Sequence, residues 1–233
     1  MNSFCLHSFF SKFAQKLYRY DYTSLWQDDY WLLVLQLYMK KPMGVKSIYS
    51  RSLINLALEL HIEPKYLYQQ MFRIRRLDSP QMQQLWDTYA EHPKRLSTEV
   101  DRLRKMAGFG QKDVFYKDVA INESWEKSYR PLEADEELTT VALTMILDLY
   151  FRLTPITMVA ETPEVQELAR LLKIKPEKVA AVLEVFMQCD PYLNRLDFDL
   201  SPLLAECQKV WQRYGNDPEK LSAEAAQMSA WYK

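Results

Sequence analysis

Four glycines in 233 residues leave few places for the left-handed or tightly turned backbone that glycine adopts freely. Alternating stretches rich in Val, Ile and Thr are also lacking, whereas Leu, Met, Gln and Glu are plentiful; the expectation is an all-α protein. Long apolar runs are missing too. The longest, YWLLVLQLYM, is well short of the roughly 20 residues that cross a bilayer, so no membrane association is expected. Cysteine is scarce: Cys5, Cys189 and Cys207 are odd in number and far apart, with no Cys-x-x-Cys pair and no histidine set to complete a zinc site. They read as reduced thiols of a cytoplasmic protein.

The signatures of catalysis are absent as well. The chain has no glycine-rich phosphate loop, no supported Ser/His/Asp order and no two-histidine metal spacing, so neither enzymatic activity nor a cofactor is expected. His7, His61 and His92 stand alone; His61 and His92 fit turn and cap positions. Asp197 and Asp199 in LDFDL read as part of a charged loop rather than as a metal pair.

What is present describes an ordinary folded chain, 48% hydrophobic and 26% charged, long enough for two cores. Its charge is divided unevenly. Residues 1–112 carry 17 Lys or Arg against 10 Asp or Glu, and residues 113–233 carry 13 against 21. The halves therefore present fields of opposite sign, which implies a division of labour. Residues 1–25 form a separate unit, with Leu6, Phe9, Phe10, Phe13, Leu17 and Tyr20 at amphipathic spacing among Lys12, Lys16 and Arg19. That pattern lacks a signal peptide's continuous apolar run and cleavage site, and suits a helix docked on the body of the protein better than one lying on a membrane.

The second half repeats the first. At an offset of 112, LQLYMKKP meets LDLYFRLT and LALELHIEPKYL meets LARLLKIKPEKV, with no gap between Leu35 and Asp78. After a 13-residue expansion, WDTYAEHPKRLS meets WQRYGNDPEKLS at an offset of 125. The expected organisation is two tandem helical repeats of four to five helices each, at residues 26–107 and 138–233, joined by a linker at 108–137. Entry helices are predicted at 29–40 and 139–152, followed by helices at 51–61 and 163–173, and at 64–76 and 176–188. A fourth helix falls near each Trp-x-x-Tyr, and a fifth follows each Leu-Ser, with Ser97 and Ser222 as N-caps. Gly108 and Gly110 can stop the fifth helix of the first copy. In the linker, Phe115, Tyr116, Trp125 and Tyr129 are expected to lie across one or both repeats. Glu133, Asp135, Glu136 and Glu137 are expected to lead acidically into the next helix N-terminus.

Within each copy, Leu56, Ala57, Leu60, Ile62, Pro64 and Leu67 recur as Leu168, Ala169, Leu172, Ile174, Pro176 and Val179. This pattern, LAxxLxIxPxxV, resembles the helix-turn-helix superfamily, with His61 and Lys173 standing where that superfamily often has glycine. The resemblance implies two crossing helices, the small Ala at the crossing, and a second helix whose outer face can enter a DNA groove. The second copy also resembles the helical module found ahead of some HNH-type endonuclease domains, but three isolated histidines do not carry nuclease chemistry.

With Leu67 buried, helical geometry places Lys65, Gln69, Phe72, Arg73 and Arg76 on the opposite face, where Gln and Arg suit base edges and Lys suits phosphate. Lys46 and Arg51 extend a basic stretch, Lys40 to Arg76, that holds eight basic residues against Glu59 and Glu63. The corresponding outward positions of the second copy are Glu177, Ala181, Glu184, Val185 and Gln188, whose carboxylates oppose phosphate. Trp86, Tyr89, Trp211 and Tyr214 recur in register and fit core packing rather than ligand stacking. The expectation is a nucleic-acid-binding protein, a DNA-binding regulator of transcription acting through the first copy. The second copy would then serve packing, homodimerisation or a protein partner. The rival expectation is an interaction or assembly module that touches no DNA.

Overall fold

The computed structural model describes residues 26–106, 109, 125–193 and 201–233, and these are mostly helical. The N-terminal segment 1–25, Gly108, Gly110, Phe115, Tyr116, Asp197 and Asp199 lie outside the described residues. The first five helices are α1 (Tyr30–Met39), α2 (Arg51–Leu60), α3 (Pro64–Arg76), α4 (Pro80–Tyr89) and α5 (Pro93–Lys105). A 3-10 turn, Trp125–Tyr129, leads to a hairpin of β1 (Pro131–Leu132) and β2 (Asp135–Thr139), paired antiparallel. Five further helices follow: α6 (Thr140–Arg152), α7 (Pro163–Leu172), α8 (Pro176–Cys189), α9 (Leu204–Tyr214) and α10 (Pro218–Tyr232).

Two hydrophobic cores result. In the first, Leu53, Ala57 and Leu60 of α2 meet Leu67, Met71 and Ile74 of α3, over Val34 and Leu35 of α1 and Val100 of α5. Spacings of three and four put each set on one stripe of its helix. In the second, α6 is apolar nearly all round and packs against α7, α8, α9 and α10. It is central because from Val141 to Tyr150 only Asp148 escapes full burial, and Asp148 pairs with Arg152 at 3.1 Å. A helix buried on every side needs neighbours on every side.

The corners between α2 and α3 and between α7 and α8 are built alike. His61 and Lys173 adopt the left-handed conformation, at φ 55° and 63°. The amides of Ile62 and Ile174 then donate back to the carbonyls of Ala57 and Ala169, at 3.0 and 3.1 Å. This Schellman-type closure satisfies a carbonyl that the helix end would leave unpaired. Ile62 is fully buried and Ile174 half-buried, so each closure is also held by packing. Pro64 and Pro176 open the next helices at a first-turn position where no amide is needed.

Four local expectations are corrected. Ser97 and Ser222 do not cap the last helices, which begin four residues earlier at Pro93 and Pro218. The N-caps are His92 and Asp217, and Asp217 accepts from the Lys220 amide at 3.0 Å. The acidic entry to α6 is instead the hairpin, with Thr139 as the cap, accepting from Ala142 at 3.1 Å. There Asp135 and Glu137 converge on Lys178 of α8, whose ammonium is raised above its ordinary pKa chiefly by those two hydrogen bonds. Val185 does not face outward: α9 packs on α8, and Val182, Val185, Phe186 and Met187 are all buried there.

Two predictions come from this architecture. Lys173 is exposed and has a backbone that favours glycine, so Lys173→Gly is expected to raise stability by about 1 kcal/mol, read from the urea midpoint. Burial pushes the Cys189 thiol from 9 up to about 11, and burial, then Cys189 and Glu206, push Cys207 up to about 12. Below pH 9 both folded and unfolded chains hold these protons; above it the unfolded chain releases them first, so stability is expected to fall across pH 9 to 11. In the folded protein near neutral pH both thiols should also resist alkylation until denaturant is added.

Candidate nucleic-acid interface

The sequence of α3 determines which of its side chains can meet a ligand. Leu67, Met71 and Ile74 turn into the core, and Gln70 is buried beside them. Lys65, Gln69, Arg73 and Arg76 are exposed and Phe72 is half-buried, so these five residues share the outer face of the helix. Among the described residues neither Lys65 nor Arg76 forms an ion pair. Phe72 is held edge-to-face by Tyr68, ring centres 5.1 Å apart. Arg75 adds a further exposed cation in the last turn, where the helix dipole favours positive charge.

Arg73 differs from its neighbours. Its Nε donates to Asp78 at 3.2 Å, Nη1 donates to Gln70 at 3.4 Å, and the guanidinium stacks 5.1 Å from the Trp31 ring centre. It therefore ties α3 to α1 and to the turn before α4. The other two expected contributors are engaged elsewhere. Lys46 donates to the carbonyls of Lys40 and Pro42, closing the loop after α1, and its ammonium is lowered from the ordinary pKa, first by burial and then by Lys40. Arg51, at the start of α2, lies over the Trp231 ring of α10 at 5.6 Å.

Arg51 belongs to a junction between the two cores. Helix α10 packs on α2 as well as on α6, and Tyr129 packs edge-to-face on Trp231 at 5.3 Å. From the same 3-10 turn Glu126 meets His61 Nδ1 at 3.1 Å, and Trp125 packs against the first core. Tyr129 and Tyr232 titrate above the ordinary tyrosine range, burial being the main cause for each. The turn is thus a strap across both cores. Sequence reasoning expected Trp125 and Tyr129 to lie across one or both halves; the aromatic content of the linker was the signal. It did not find His61 paired with Glu126, because the two are 65 positions apart.

The recurring Trp and Tyr residues serve packing. Trp86 meets Tyr38 edge-to-face at 6.1 Å, and Trp211 meets Tyr150 at 5.6 Å. Tyr214 is buried and donates to Glu224. On α8, Glu177 and Glu184 are exposed where α3 carries Lys65 and Phe72 at the offset of 112. Among the described residues no group of three or more His, Cys, Asp or Glu could hold a metal ion, and no helix is long and apolar enough to cross a membrane.

Comparison with known proteins adds no identity to this geometry: no family model, no curated protein and no solved structure matches the chain.

The geometry separates two kinds of substitution on α3. Arg73→Ala is expected to lower stability, by less than about 1 kcal/mol because the ion pair is half-exposed, whereas Lys65→Ala should leave the urea midpoint unchanged within about 0.5 kcal/mol.

Proposed function

We propose that the chain is a duplicated helical unit whose first copy binds nucleic acid, with duplex DNA as the ligand, through the outer face of α3. The observation that carries this reading is the contrast between α3 and α8. Lys65, Gln69 and Arg76 stand exposed with no ion-pair partner among the described residues, while the aligned positions of α8 hold Glu177, Ala181 and Gln188. A polyanion is attracted to the first arrangement and gains nothing from the second. The duplication itself is supported by helix bounds: α2 and α7, and the starts of α3 and α8, differ by 112 positions, and the starts of α5 and α10 by 125.

In this reading Gln69 and Arg76 meet base edges, Lys65 meets phosphate, and Arg73 acts mainly by fixing α3 against α1. A role in transcription follows only by analogy with other users of such helix pairs. The second copy packs on the first through α10 and supplies an acidic surface for a protein contact.

The test is fluorescence anisotropy of the full chain with a pool of labelled duplexes, at about 50 and 200 mM salt. Binding is expected at the lower salt and should weaken steeply at the higher. Lys65→Ala with Arg76→Ala should weaken it at least roughly tenfold and lower the salt slope by about one for each lost phosphate contact. Absence of binding at low salt, or affinity untouched by both substitutions, rejects the reading.

A further inference from the structure

In the first core, α2, α3, α4 and α5 pack round α1 in that order. Helix α3 lies against α2 and α4. Helix α5 lies against α4 and is tied back to α2 by Arg104, which donates to Glu59 through Nε at 2.6 Å and Nη2 at 3.0 Å. Helices α3 and α5 are thus non-adjacent in this ring, with α4 between them, and their outer faces leave α1 in different directions.

The outer face of α5 is defined by what its inner face buries. With Leu96, Val100 and Leu103 in the core, Lys94, Thr98, Arg102 and Lys105 turn outward, and all four are exposed. From Lys94 to Lys105 this face runs three turns, about 16 Å. Lys94 and Lys105 form no ion pair among the described residues, and Arg102 holds Glu99 at 2.9 Å in an exposed pair that water screens. Arg95 and Arg104 are engaged within the ring, on Tyr89 and Glu59. Asp101 stands on the outer face, but over the whole helix five basic residues oppose two acidic ones.

Two comparisons give the face a meaning. At an offset of 125, Lys94, Arg102 and Lys105 correspond to Glu219, Gln227 and Ala230 of α10, so a helix at this place in the fold does not require the cations. Helix α4 has no Lys or Arg, and Gln81, Gln83, Gln84 and Asp87 are exposed on it. The basic faces of α3 and α5 are therefore separated by a helix without cations, which a polyanion lying on one face would have to cross to reach the other.

We infer that the outer face of α5 is a second polyanion surface, and that one chain bridges two duplexes, one on α3 and one on α5. The inference rests on the proposal that α3 binds duplex DNA. Lys94, Arg102 and Lys105 meet phosphate by charge complementarity. Asp101 opposes phosphate, whereas α3 contains no acidic residue, so the α5 surface is the weaker and fills after α3.

The test mixes a donor-labelled and an acceptor-labelled short duplex with the full chain at about 50 mM salt, and reads energy transfer between duplexes beside anisotropy for the first binding step. Transfer is expected once duplex exceeds chain. Lys94→Ala with Lys105→Ala, both at exposed positions, should cut transfer at least roughly fivefold while the first affinity stays within about twofold. Lys94→Arg with Lys105→Arg should keep it. A chain that binds one duplex and gives no transfer overturns the inference. So does transfer undiminished in the alanine variant, since chains joined to one another would then be carrying the duplexes. Failure of the α3 proposal shows elsewhere, as a first affinity that Lys65→Ala with Arg76→Ala leaves untouched.

Discussion

The corner at His61 is the constraint on which the first half depends. Its left-handed residue returns the Ile62 amide to the Ala57 carbonyl, and the burial of both residues keeps α2 and α3 at a fixed crossing. Once that crossing is set, Leu67, Met71 and Ile74 must point inward and Lys65, Gln69 and Arg76 must point outward. The same corner at Lys173 sets α7 against α8. The corner therefore determines which side chains are available for contact and leaves their chemistry free to differ.

That freedom is visible in the two halves. Helix α3 has a basic outer face in solvent, whereas part of the aligned face of α8 is packed: the position matching Arg73 is Val185, buried under α9. A groove between α6, α7 and α10 is lined by Ala225 and Ser229, whereas the aligned positions of α5 hold Val100, which is buried, and Arg104, which pairs with Glu59 of α2. The strap at Trp125–Tyr129 and the stacking of Arg51 on Trp231 then hold the specialised halves together. A change at the junction would be felt by both cores, since His61 belongs at once to the α2 to α3 corner and to the contact with Glu126.

Much of this fold was legible in the sequence, and for identifiable reasons. Apolar spacing located α1, α2, α3, α6, α7 and α8 to within a residue at each end but not the two 3-10 turns at Trp125–Tyr129 and Pro155–Thr157, and the recurrence of Leu56, Ala57, Leu60 and Ile62 in the second half pointed to the corner despite its lack of glycine. Local capping chemistry was less legible. Leu-Ser looked like a helix start, but Pro93 and Pro218 begin the helices earlier, and the acidic run before α6 folded into a hairpin because Lys178, more than 40 residues away, gathers Asp135 and Glu137. The candidate site was legible as a helix face and not as a set of partners. Five residues of α3 share the face, but the engagement of Arg73 with Asp78 and Trp31, of Arg51 with Trp231 and of Lys46 with its own loop depends on tertiary placement that spacing does not encode.

The central proposal is that the corner presents the outer face of α3, and not the aligned face of α8, to a polyanion. The most direct measurement is the change in backbone amide NMR shifts of the full isotopically labelled chain as duplex DNA is added. Shifts concentrated between Lys65 and Arg76, with Glu177 to Gln188 unmoved, are the predicted result. Perturbation of α8 in place of α3, or none on either helix, would contradict it.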